Sequence, residues 1–85
     1  MTAVSKTLEI TNQDYETVAS LANITLTSGK KYNMQVQNKA FIKLADAEFL
    51  LEKNEKFSFT QDDDDLYIKI VDVFNPTILT ILECA

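Results

Sequence analysis

The stretch Lys31-Tyr32-Asn33-Met34-Gln35-Val36-Gln37-Asn38 alternates residue by residue. Tyr32, Met34 and Val36 are large and mostly apolar, and Asn33, Gln35 and Gln37 are amides. Successive side chains of a strand point to opposite faces, so this run makes one apolar face and one amide face. It reads as a central strand, with other strands placed to cover its apolar side.

The same period of two recurs along the chain. Leu8 and Ile10 alternate with Thr7, Glu9 and Thr11, and Phe57 and Phe59 with Ser58 and Thr60. Ile42 and Leu44 share a face within Ala40 to Leu44, and Leu66, Ile68 and Ile70 share one in Leu66 to Val71. Each run reads as a strand. Ile24 and Leu26 alternate with Asn23, Thr25 and Thr27, which predicts one more. Gly29 is the single glycine. A positive φ there predicts a hairpin between that strand and the central one. Asn38-Lys39 reads as a tight turn, Asn12-Gln13-Asp14 as another, and Asp72 to Pro76 as a third, because Pro cannot donate to a ladder. Tyr15 to Leu21 reads as a short helix capped by Asp14 or as an irregular segment closing one end. Ala45 to Lys53 has helix-forming composition, but a short segment between strands is where tertiary context overrides propensity.

The last strand, Thr77 to Glu83, is apolar on both sides. Ile78 and Leu82 share a face with Thr80, and Leu79 and Ile81 share the other with Thr77 and Glu83. A short chain has little with which to cover both faces. Leu79 and Ile81 are therefore candidates for burying a contact in a symmetric homo-oligomer; a bent sandwich covering both faces is the alternative. The amide row of Asn33, Gln35 and Gln37 reads as an exposed sheet face or as donors and acceptors at a wet subunit interface.

These runs make roughly seven or eight short strands at intervals of about ten residues, with at most one short helical turn. No long amphipathic helix separates them, which excludes parallel βαβ units. The fold class is all-β: a small antiparallel β-sandwich or barrel forming one domain over residues 1–85, with residues 1–4 frayed.

Charge and composition narrow the function. The formal net charge is −5 and there is no His. The longest basic run is Lys30-Lys31, too little to displace phosphate counterions, so no nucleic-acid partner is expected. An acidic surface gains nothing from anionic lipid, no apolar run approaches bilayer length, and Met1 to Lys6 lacks a signal-peptide core. Cys84 is the single cysteine, which rules out an internal disulfide and suits a reducing compartment.

Catalytic apparatus is not visible. Without His there is no Ser-His-Asp or Cys-His arrangement, and the commonest metal ligand is missing. One Cys cannot make the usual zinc sites, and one Gly cannot make a phosphate or dinucleotide loop. Asp62-Asp63-Asp64-Asp65 lacks the spaced ligands, turn Gly and distal Glu of a calcium loop. It reads as a solvated loop whose charge discourages aggregation. Tyr15, Tyr32 and Tyr67 are residues that could stack on a sugar or simply pack. No catalytic, cofactor or metal residue is assigned.

One resemblance spans roughly residues 5 to 83. It rests on Leu21-Ala22-Asn23-Ile24-Thr25-Leu26-Thr27-Ser28-Gly29-Lys30-Lys31-Tyr32-Asn33-Met34-Gln35-Val36-Gln37-Asn38, and on Phe57-Ser58-Phe59-Thr60 followed, after an acidic loop, by Leu66-Tyr67-Ile68-Lys69. These runs resemble small β-modules among the virion genes of tailed bacteriophages and prophages. The chain departs from some of them at Asn38-Lys39 and at Asp62 to Asp65, where they carry Gly. The resemblance implies a non-enzymatic structural or accessory protein of capsid-decoration, fibre or tail type. It implies a homo-oligomer, often a trimer, touching other virion proteins. The chain would reside in the virion, and in the bacterial cytoplasm before assembly. The alternative is a small carbohydrate- or peptide-binding β-module.

Overall fold

Tyr32, Met34 and Val36 are buried and Asn33 and Gln37 are exposed, as the alternation predicts. Their strand is third of four in its sheet. The computed structural model describes residues 5–62 and 64–84. The fraying expected for residues 1–4 lies outside them, as does Asp63 of the acidic run. Among the described residues, the elements in chain order are β1 (Ser5–Ile10), β2 (Glu16–Thr17), α1 (Val18–Ala22), β3 (Lys31–Val36), β4 (Ala40–Leu44), β5 (Ala47–Leu51), β6 (Lys56–Thr60), β7 (Leu66–Ile70) and β8 (Thr77–Glu83).

The strands make two four-stranded antiparallel sheets, ordered β1-β8-β3-β6 and β2-β7-β4-β5. β1 pairs with β8, β2 with β7, β3 with β6 and β4 with β5. That is one long hairpin, with the two-residue turn Ala45-Asp46 at its tip. It is rolled up so that β8 also lies against β3 and β7 against β4. This is jelly-roll topology. The expected all-β sandwich of seven or eight strands with one short helix is therefore what forms.

Rolling the hairpin means that every consecutive pair of strands except β4 and β5 crosses from one sheet to the other. The hairpin expected at Gly29 is corrected on this ground. Residues 23–30 form no strand, and β3 takes β8 and β6 as neighbours instead. Ile24 and Leu26 still pack on the core, but the backbone around them bonds elsewhere. The Ile24 amide donates to the Ala19 carbonyl at 3.1 Å, and the Thr27 amide to the Tyr32 hydroxyl at 2.7 Å. Gly29 does take a positive φ, +85°. Its amide donates to the Gln61 carbonyl at 2.8 Å, which ties this turn to the end of β6.

Asp14 does not cap α1 either. Thr17 does, accepting from the Ser20 amide at 3.3 Å, while Asn23 at φ +55° ends the helix. Ala45 to Lys53 contains the whole of β5, so its helix-forming composition is overridden. Partners decide the matter: each residue from Ala47 to Leu51 lies opposite one of β4. Asn38-Lys39 turns the corner between sheets, where the Asn38 amide and carbonyl both bond the buried Thr77 hydroxyl, at 2.8 and 3.0 Å.

The core lies between the sheets. Tyr32, Met34, Val36, Leu79 and Ile81 from one sheet face Ile42, Leu66, Ile68 and Ile70 from the other. Tyr32 stacks on Phe59, with ring centroids 5.7 Å apart. The assignment of Leu79 and Ile81 to a subunit contact is corrected here. Both are fully buried within the chain and have no surface left to offer a partner. The second sheet covers them, as the bent-sandwich alternative required. The apolar residues of β8 that look outward are Ile78, half-buried, and Leu82, 46% exposed.

Candidate functional site

The outer face of the β1-β8-β3-β6 sheet is built by register. Asn33 sits opposite Leu82 of β8 on one side and Ser58 of β6 on the other. Gln35 sits opposite Thr80 and Lys56, and Thr80 in turn sits opposite Thr7 of the edge strand. Side chains on one face of such a ladder are near neighbours, and several bond here. The Ser58 hydroxyl donates to the Asn33 side-chain oxygen Oδ1, and Asn33 Nδ2 donates to Cys84 Sγ at 3.1 Å. Gln35 Nε2 donates to the Asn54 backbone carbonyl at 3.2 Å, and the Thr7 and Thr80 hydroxyls lie 3.3 Å apart. Gln37 is exposed beyond the end of β3, its backbone amide bonded to the Ile78 carbonyl at 3.0 Å.

The sheet thus brings Asn33, Gln35 and Gln37 together on one surface and sends Leu79 and Ile81 to the opposite one. Leu82 is the residue that sequence reasoning passed over. Its parity in β8, two away from Thr80 and four from Ile78, sets it on the face opposite Leu79 and Ile81, but parity alone does not say which face is covered. A shallow, mostly apolar depression of about 370 Å³ opens here among Asn33, Gln35, Thr80, Leu82, Ser58 and the stem of Lys56. The surface is nearly uncharged at its centre. Glu9 stands at the β1 margin, Lys31 at the start of β3 and Lys56 at the start of β6.

The outer face of the other sheet is chemically different. Lys69 Nζ lies 4.6 Å from the Tyr15 ring centroid and 5.6 Å from that of Phe41, and Lys43 Nζ lies 5.9 Å from Tyr15. The Tyr15 hydroxyl donates to Glu48 at 3.2 Å. Burial, that hydrogen bond and the Glu48 charge hold the phenol above its ordinary pKa. The three tyrosines do not form one platform, since Tyr32 is in the core while Tyr15 and Tyr67 are outside. In the acidic loop the Asp62 carboxylate turns back on its own backbone, accepting from the Asp64 amide at 2.9 Å.

Comparison with solved structures supports the topology. The chain is similar to a de novo designed double-stranded β-helix, with a TM-score of 0.72 at 12% identity, covering 95% of this chain and 99% of that one. It is also similar to apo-HppE, with a TM-score of 0.69 at 12% identity, covering 96% of this chain and 41% of that one. At such identity the likeness is one of fold alone: the chain has a fold like that of a double-stranded β-helix. No protein-family model and no curated protein sequence matches it.

A metal held between the sheets of such a fold needs donors on inward strand positions. Those positions carry Met34, Val36, Ile42, Ile68, Leu79 and Ile81, and no group of three His, Cys, Asp or Glu side chains gathers among the described residues. The described residues do not fit a metal centre between the sheets. Among them no helix is long and apolar enough to cross a membrane.

Proposed function

We propose that the chain is a non-enzymatic structural or accessory protein of a phage or prophage particle, working by homo-oligomerisation and by contacts with other virion proteins. The observation that carries this reading is where the free surface lies. The inward faces are filled by apolar side chains packed on one another. What remains for function is outside, and one part of it is the amide and threonine face around Leu82, whose depression carries no carboxylate. A face of this kind suits a protein surface: apolar at one point, and rich in donors and acceptors around it. Jelly rolls serve as viral capsid domains, which is consistent with the reading, though they also serve as lectins and cupins. The resemblance to virion β-modules tips the balance. The chain then resides in the virion, and in the host cytoplasm before assembly.

Mass spectrometry of particles purified after induction of the strain that encodes the chain tests this directly. Recovery in stoichiometric amount with the major structural proteins supports it. Absence from the particles, with the chain abundant in the cell, rejects it. One observation favours a second reading, a carbohydrate- or peptide-binding module: Tyr15, Phe41 and Tyr67 lie with Lys43 and Lys69 on the outer face of the β2-β7-β4-β5 sheet. Binding on a glycan array that is lost in Tyr15→Ala would favour it.

A further inference from the structure

The turn between β7 and β8 exposes its apolar residues. Phe74 is 88% exposed and Val73 58%, and Val71 is also on the surface. Single exposed apolar residues are ordinary, but three within four positions form a patch. The turn is also braced. Asp72 accepts from the Phe74 amide at 2.9 Å and from the Asn75 side chain at 2.7 Å, and its carbonyl accepts from the Asn75 amide at 3.1 Å. The Phe74 ring therefore projects from a turn ordered by its own hydrogen bonds, which lowers the entropic cost of docking it.

The same chain carries the shape that would receive it. The depression beside Leu82 is mostly apolar, shallow, and large enough for one aromatic side chain. It lies on the outer face of a sheet, whereas Phe74 projects from an end turn, so one copy presents a knob and a second copy a hole. Charge permits the contact. Two copies with net charge −5 each repel at most places, but the depression carries no carboxylate and has Lys56 at its wall. Asp72 Oδ1 accepts both bonds within the turn and the carboxylate keeps its negative charge, which is complementary to Lys56 at the wall of the depression.

We propose that Phe74 of one copy docks into the depression beside Leu82 of the next. This rests on the assembly reading above and gives that assembly its contact. Because the two surfaces differ, the contact is heterologous. Heterologous contacts propagate head to tail, closing into a ring where the rotation allows or continuing as a filament.

Sedimentation of the full chain with Phe74→Ala and Leu82→Lys tests it. Both side chains are exposed, so circular dichroism should show the sheet retained in each variant. Wild type should sediment as a ring or longer assembly, and each variant alone as a monomer. An equimolar mixture of the two should form a dimer, because Phe74→Ala keeps the depression and Leu82→Lys keeps the knob. A mixture that stays monomeric overturns the proposal, as does a Phe74→Ala protein of wild-type mass. If Leu82→Lys alone loses mass, the sheet face serves assembly without Phe74; the docking contact falls and the virion reading stands. A wild type that is monomeric at every concentration overturns the docking contact whatever the particles contain.

Discussion

The two sides of the β3-β8 pair are made from neighbouring residues and behave as opposites. Inside, Val36 lies opposite Leu79 and Met34 opposite Ile81, all out of water. Outside, Gln35 lies opposite Thr80 and Asn33 opposite Leu82. One side supplies stability and the other is free for recognition. A single step along either strand changes which role a residue has, since a shift of one carries every side chain to the other face.

Charge placed on the inner side should do the most damage. Val36→Asp buries a carboxylate with no partner and should cost about 3–5 kcal/mol, enough to unfold a small domain. Gln35→Asp, one residue away, should cost less than about 0.5 kcal/mol. Urea denaturation of the two variants measures the contrast, and equal effects would mean that the inside-outside distinction is misplaced. The same contrast is expected on β8, where Leu79→Lys should unfold the chain and Leu82→Lys should leave its melting temperature nearly unchanged.

Tyr32 sharpens the comparison because it is a core residue with a polar end. Its ring stacks on Phe59, and its hydroxyl accepts from the Thr27 amide at 2.7 Å and faces Glu83 at 3.4 Å. Tyr32→Phe keeps the packing and leaves the Thr27 N–H without its acceptor. The expected loss is about 1–3 kcal/mol, read from the urea midpoint. Faster amide exchange at Thr27 should accompany it, showing that the segment before Gly29 is held through this hydroxyl.

What was legible in the sequence follows from the same division. β3, β7 and β8 have one side in the core, so their alternation survives in the residues. β5 is an edge strand, and Phe49 and Leu50 are both exposed despite pointing to opposite faces; no alternation marks it. β2 is two residues long and carries no pattern. Ile24 and Leu26 alternate because both touch the core, yet touching a core does not require pairing in a sheet. The hairpin error at Gly29 has a topological source. Neighbours in sequence are the natural guess for neighbours in a sheet, and a rolled hairpin places them in different sheets. At the surface, the amide row was legible from β3 alone. The apolar component of that surface was not, because the parity of β8 gives two apolar faces and only the other sheet decides which is covered.

The smallest effect belongs to the other outer face and bears on whether outward residues also couple to folding. The Tyr15 phenol is held above its ordinary value of 10.0 by burial, by its hydrogen bond to Glu48 and by the charge of that carboxylate. In the unfolded chain the phenol titrates near 10, and in the folded chain it titrates higher. Between the two values the unfolded state has released the proton and the folded state still holds it. Stability is then undiminished below pH 10 and falls as pH rises through the folded value. Tyr15→Phe removes this contribution, so its stability should decline less steeply above pH 10 than that of the wild type. Denaturation at a series of alkaline pH values gives the two slopes, and tyrosinate absorbance gives the titration itself. Tyr15 is only partly buried, so the difference should be slight. Parallel slopes would mean that this hydroxyl has no hold on the fold.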